Sequence, residues 1–122
     1  MEIQIGEYVR TNKGLIRKVK TIYSGERQYS RTTETRINAT IKLENIVKHS
    51  FNIIDLIEVG DYVNGEYICD ITECLNENGK REKAVVINEM GYNEYAESLF
   101  NKDIKSIVTK EQFKQVEYKV ED

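Results

Sequence analysis

The 122-residue chain has no proline, one histidine and two cysteines. At a usual frequency of about 5%, roughly six prolines would be expected. Turns must therefore be made by Gly, Asn and Asp. So few His and Cys residues exclude a four-ligand His/Cys zinc site, and any His-dependent triad has only His49 to use. No apolar run approaches the roughly 18 residues of a membrane span. The start, Met1 to Glu7, shows neither the basic nor the apolar region of a secretory signal. Cys69 and Cys74 are spaced C-x4-C, not C-x-x-C, and read as free or structural thiols of a reducing, cytoplasmic setting. Neither phosphate-binding glycine motif, G-x-x-x-x-G-K-[ST] or G-x-G-x-x-G, occurs. There is no EF-hand loop, and Asn76-Glu77-Asn78-Gly79 lacks the later ligands of one. His49 and Ser50 are sequence neighbours, which point apart on a strand, so no dyad is expected. These absences predict no catalytic residue, no metal site and no cofactor.

What is present is charge, unevenly spread. The net charge is -3, which is not the basic excess of a DNA-coating protein. Residues 1–60 carry +3 and residues 61–122 carry -6. Residues 10–36 alone carry +6, from Arg10, Lys13, Arg17, Lys18, Lys20, Arg27, Arg31 and Arg36 against Glu26 and Glu34. Such a segment is either a solvated basic surface or the side that attracts an anionic partner.

The pattern is that of short strands at about 8–12-residue spacing. Ile3 to Arg10 alternates, Thr11 to Gly14 turns, and Leu15 to Tyr23 returns as a second strand. Arg27 to Thr35 is polar and reads as an exposed hairpin or a loop. Strict apolar alternation over 37–43 predicts a strand over Ile37–Ile46. A short strand and one helical turn follow, with Ile53, Ile54 and Leu56 inward. Asn64-Gly65 between strand-like runs is a type I′ hairpin signal. It opens a meander through a Glu66–Leu75 strand, an Asn76–Lys80 turn and an Arg81–Asn88 strand. Residues 95–100 read as a helical turn and 103–108 as a strand. Thr109 with Gln112 has capping-box spacing and starts a helix over 110–115, with Phe113 facing the core. Residues 116–120 read as an edge strand, and the first and last strands are expected to meet.

Ile5-Gly6-Glu7-Tyr8-Val9 and Val59-Gly60-Asp61-Tyr62-Val63 share one pattern. Read plainly, the string is a good way to open a strand in a small barrel. Read as a repeat, it makes the chain two similar β-units, 1–45 and 58–122. The fold class expected is mainly β (β-rich α+β), a single compact domain over 1–122 formed as an SH3-like or barrel-like meander with one or two short helices.

Three stretches carry a resemblance: Ile5 to Thr11, Val47 to Gly65, and Ile107 to Phe113 with Glu117 to Val120. Together they cover about a third of the chain, and they resemble small proteins carried by phages and prophages of low-GC Gram-positive bacteria. No catalytic residues come with the resemblance. It implies a non-enzymatic counter-defence protein acting in the cytoplasm of the infected cell. On that reading the chain sequesters a cyclic nucleotide or related anionic immune signal, as a homo-oligomer. Lys18, Lys20, Arg27, Arg31 and Arg36 are the candidate phosphate contacts, and Tyr23 or Tyr29 the candidate base platform. A second reading is an anti-CRISPR-type inhibitor of a host defence protein. There Asp61, Glu66, Asp70, Glu73, Glu77 and Glu82 mimic nucleic-acid phosphates. A third is a small β-barrel accessory protein that binds single-stranded nucleic acid.

Overall fold

A computed structural model describes residues 2–24, 35–38, 40–87, 97–116 and 120. The fold is mainly β: among the described residues there are eleven short strands in three sheets and one α-helix, and these strands do not close a barrel. The chain divides into two compact units, Met1–Leu56 and Ile57–Asp122.

In the first unit, β1 (Tyr8–Thr11) lies between β2 (Ile16–Lys18) and β6 (Ile46–Ser50), antiparallel to both. A second sheet runs β3 (Ile22–Ser24), β4 (Thr35–Ile37), β5 (Ile41–Lys42). A 3-10 turn at Leu43–Asn45 leads into β6, and another at Ile53–Leu56 follows it. Val9, Val19, Ile37, Ile41 and Ile46 form the core, with Ile3, Leu15 and Leu43 packed on it.

The second unit repeats this order. β7 (Tyr62–Val63) lies between β8 (Glu66–Leu75) and β11 (Ile107–Val108), antiparallel to both. β8 continues past a bulge to pair with β9 (Arg81–Ile87), and β9 pairs with β10 (Glu97–Phe100). A 3-10 turn at Asn101–Asp103 precedes β11, and helix α1 (Lys110–Val116) follows it. Within each unit the opening strand pairs with a later strand of the same unit, β1 with β6 and β7 with β11; the last strand expected, over 116–120, falls largely outside the described residues.

The two echoing strings occupy the same geometry. Gly6 and Gly60 sit at φ +99° and +100°, where a side chain is strained. Each donates its N–H across to the neighbouring segment, Gly6 to Val19 O just past β2 at 2.9 Å and Gly60 to Ile68 O in β8 at 3.0 Å. The acidic residue that follows is buried in both units. It accepts the N–H three residues back: Gln4 N to Glu7 Oε2 at 2.6 Å, and Glu58 N to Asp61 Oδ2 at 2.7 Å. Its other oxygen takes a second partner, His49 Nδ1 at 2.9 Å for Glu7 and Lys110 N at 2.9 Å for Asp61. The Gln4 N–H holds the Glu7 carboxyl below its ordinary value; burial opposes this and His49 adds to it.

Several expectations are corrected by these bonds. The first strand begins at Tyr8, because residues 4–7 are folded into the carboxylate turn. The strand expected over Leu15–Tyr23 is interrupted at 19–21, where Asn38 Oδ1 accepts the N–H groups of Lys20 (2.9 Å) and Thr21 (2.8 Å). Its amide replaces the ladder there, and Nδ2 donates to Lys18 O at 3.0 Å. Asn38 itself, at φ +51°, turns the chain back, so the strand expected over 37–46 is a tight hairpin followed by a 3-10 turn. Residues 97–100 form a strand, not a helical turn. Asn64 makes only 107–108 a strand, because its Oδ1 takes the N–H groups of Lys105 and Ser106. Val116 ends α1 and is no strand residue, and 117–119 lie outside the described residues. Phe113 does not face the core: it is 46% exposed and stacks on Tyr62 at 5.1 Å.

The Asn64-Gly65 hairpin, the return strand over 66–75 and the Thr109–Gln112 capping box are as read. Positive φ at both Asn64 and Gly65 is the geometry a type I′ turn requires.

Candidate anion-binding face

The β3–β4–β5 sheet has one apolar row and one polar row. Ile22, Ile37 and Ile41 are cross-strand partners, and Ile37 and Ile41 are buried in the core. Tyr23, Arg36 and Lys42 are the partners in the adjacent row. Successive residues of a strand point to opposite faces, so burial of the isoleucines turns this row outward. Tyr23 and Arg36 are exposed and Lys42 is half-buried. Opposed strand residues are separated by about 4.5–5.5 Å at Cα, so the row runs for about 10 Å: a phenol ring, a guanidinium, an ammonium. That set offers an aromatic surface for a base and two cations for phosphate oxygens.

Of the residues chosen from sequence, Tyr23 and Arg36 are brought face to face across one strand pair. Lys20 is exposed and tied by its N–H to Asn38, which follows β4. Lys18 lies on the β1–β2 sheet, with Nζ 5.6 Å from the centroid of the Tyr8 ring. Arg27, Tyr29 and Arg31 lie outside the described residues. Arg10 is not part of a basic surface. It is fully buried, and its Nη1 donates to Leu56 O at 2.9 Å.

Sequence reading missed Lys42 and Asn38. The alternation over 37–43 already placed Lys42 opposite in phase to Ile41. Recognising Asn38 as a left-handed turn residue was needed to fold it back beside Arg36.

A cleft of about 300 Å³ lies on the other side of this sheet, lined by Glu2, Ile3, Gln4, Ile22, Thr35, Ile37 and Leu43. Its walls are mostly aliphatic, which suits an apolar group and not a phosphate.

The single histidine is engaged by Glu7. Ser50 turns away from it and donates from Oγ to Asp55 Oδ2 at 2.6 Å, so His49 and Ser50 form no dyad. The two cysteines are free: Sγ of Cys69 donates to Val86 O at 3.4 Å, and Sγ of Cys74 lies 3.6 Å from Ser98 Oγ. Among the described residues no group of three or more His, Cys, Asp or Glu side chains is placed to hold a metal ion. Among them, too, no helix is long and apolar enough to cross a membrane.

On the acidic side, Glu66, Asp70, Glu73 and Glu77 are exposed along β8 and its turn. Asp61 does not belong with them, because its carboxylate is fully buried and bonded to Glu58 N and Lys110 N. Comparison with protein-family models, curated proteins and solved structures finds no match.

Proposed function

We infer that the chain is a non-enzymatic binding protein that captures an anionic nucleotide on the β3–β4–β5 face. The observation that carries this reading is the outward row of Tyr23, Arg36 and Lys42, set in register on one small sheet. A base stacks on Tyr23 while Arg36 and Lys42 meet phosphate oxygens. Lys20 adds charge from the neighbouring link, and Arg27, Arg31 and Tyr29 extend the same stretch of sequence. The resemblance to phage and prophage proteins gives this binding its purpose, sequestration of a nucleotide immune signal in an infected cell.

The test is a depletion assay. Purified protein is incubated with cyclic di- and trinucleotides and cyclic ADP-ribose isomers, removed by filtration, and then heated. Depletion followed by release of intact ligand supports capture, and Arg36→Glu with Tyr23→Ala abolishes it. Depletion with altered products means an enzyme. Undiminished capture by the double variant removes this face from consideration.

The run of exposed Glu66, Asp70, Glu73 and Glu77 supports the second reading, an inhibitor that occupies a basic channel of a host protein. Absence of depletion, with a salt-sensitive complex formed on a host nuclease effector, favours it.

A further inference from the structure

Two of the seven glycines follow an asparagine, Gly65 after Asn64 and Gly79 after Asn78. An asparagine side chain is open to attack by its own backbone: the nitrogen of the next residue adds to the side-chain carbonyl carbon. Glycine in that next position brings no Cβ to obstruct the approach. Both pairs lie in exposed turns of the second unit, with the glycine at φ +81° for Gly65 and +74° for Gly79. Space around the two glycines is equally open, since a Cβ built on either meets nothing within 4 Å. Sequence, exposure and crowding therefore do not separate the two sites. The hydrogen bonds of the side chains do.

Asn64 is held at both ends of its amide. Its Oδ1 accepts the N–H groups of Lys105 at 2.7 Å and Ser106 at 3.1 Å, and its Nδ2 donates to Asp103 O at 2.8 Å. Turning Cγ toward Gly65 N breaks all three bonds. In the turn between β8 and β9 a different residue does the holding. Asn76 Oδ1 accepts the N–H groups of Asn78 at 2.9 Å and Lys80 at 3.0 Å, and Asn76 Nδ2 donates to Glu82 Oε2 at 3.0 Å. Asn78 gives this turn its backbone N–H, and its exposed side chain makes no hydrogen bond to the described residues. One bond restrains the nucleophile, Gly79 N–H to Asn76 O at 2.9 Å, in a turn that water reaches. Ring closure opens one bond at Asn78 and three at Asn64.

We propose that Asn78 is a self-modification site of the folded chain, deamidating through a succinimide, and that the fold protects Asn64 from the same reaction. Gly79 N loses its proton to hydroxide and bonds to Asn78 Cγ. The Cγ–Nδ2 bond breaks, and Nδ2 takes a proton from water and leaves as ammonia. Water then opens the ring at either carbonyl, giving aspartate or isoaspartate. No oxidant, metal or second protein is required. The product adds one negative charge beside Glu77, whose carboxylate pairs with Lys102 Nζ at 2.7 Å. The isoaspartyl form also lengthens the backbone between Asn78 and Gly79 by one methylene. It thereby disturbs the bonds of Gly79 N and Lys80 N to Asn76.

The purified full chain is held in mildly alkaline buffer, and its peptides are followed by mass spectrometry for the gain of about 1 Da. The Asn78 peptide is expected to convert at least tenfold faster than the Asn64 peptide, because each bond that must open lowers the reactive population severalfold. In urea the two rates are expected to converge to within a few-fold, which assigns the difference to the fold. Labelling with an isoaspartyl methyltransferase and a radioactive methyl donor is expected in the aged wild type. It should be lost in Asn78→Gln, whose longer side chain closes the ring poorly and leaves the bonds of Asn76 intact. Equal rates in the folded chain, or faster conversion at Asn64, overturn the proposal. So does a folded chain whose Asn78 stays intact while the urea-unfolded chain converts, or labelling that persists in Asn78→Gln.

Discussion

Asp61→Ala removes the acceptor that closes the turn before β7 and ties it to the start of α1. The Asp61 side chain is fully buried. One oxygen holds Glu58 N at 2.7 Å, in the turn before β7, and the other holds Lys110 N at 2.9 Å, at the start of α1. Losing a carboxylate leaves two partly buried N–H groups without it, and each such loss costs about 1–3 kcal/mol. Relief of the buried charge and entry of water offset part of this. A net loss of about 2–4 kcal/mol is expected, a large share of the roughly 5–15 kcal/mol that stabilises a small protein. In urea melts followed by circular dichroism, with a slope of about 1–3 kcal/mol per M, the midpoint falls by about 1–2 M. Hydrogen exchange supplies the local reading: the amides of Glu58 and Lys110 lose protection before those of β9. Asp61→Asn retains one acceptor and falls between. A loss under about 0.5 kcal/mol at unchanged slope, with both amides still protected, refutes the clamp.

The first-unit clamp makes a pH prediction. The folded state holds Glu7 below its ordinary carboxyl value. The stabilisation is therefore present above the unfolded pKa of about 4.3 and is lost as pH falls through the lowered folded value. The stability gap between wild type and Glu7→Gln should be open at pH 7 and close on acidification; a gap that widens toward low pH contradicts the assignment. Asn64→Gly keeps the left-handed turn but deletes the bonds to Asp103 O, Lys105 N and Ser106 N. It should cost about 1–2 kcal/mol by urea melt, because these bonds are exposed and water replaces part of each. Asn38→Gly tests the same idea in the first unit, releasing the N–H groups of Lys20 and Thr21, and amide exchange there should rise severalfold. Thr109→Ala removes the Gln112 N–H acceptor at the start of α1 and should cost about 0.5–2 kcal/mol.

Local chemistry determined much of this protein before any contact was known. Alternation and β-branched residues specify strands, Asn64-Gly65 specifies a type I′ turn, and Thr109 with Gln112 specifies a helix start. Each depends on residues within a few positions of one another. The mainly β class follows from them, and so does the outward phase of Tyr23 and Arg36 once their strands are granted. The breaks were not legible. The interruption at 19–21 depends on Asn38, whose amide reaches back 17 and 18 residues to Thr21 and Lys20. The shortening of β11 depends on Asn64, more than 40 residues away. Polar side chains that replace ladder bonds at such range leave no periodic trace in sequence.

The candidate face divides the same way. Sequence supplied the charges and the rings, but register decided that Tyr23, Arg36 and Lys42 share a row, and burial withdrew Arg10 and Asp61 from their surfaces. The two echoing strings were visible as five matching residues. That Glu7 and Asp61 perform one task, each clamping the N–H three residues behind it, was decided by tertiary structure. The second partner of each carboxylate comes from a distant strand or helix, and only folding brings it within hydrogen-bond reach.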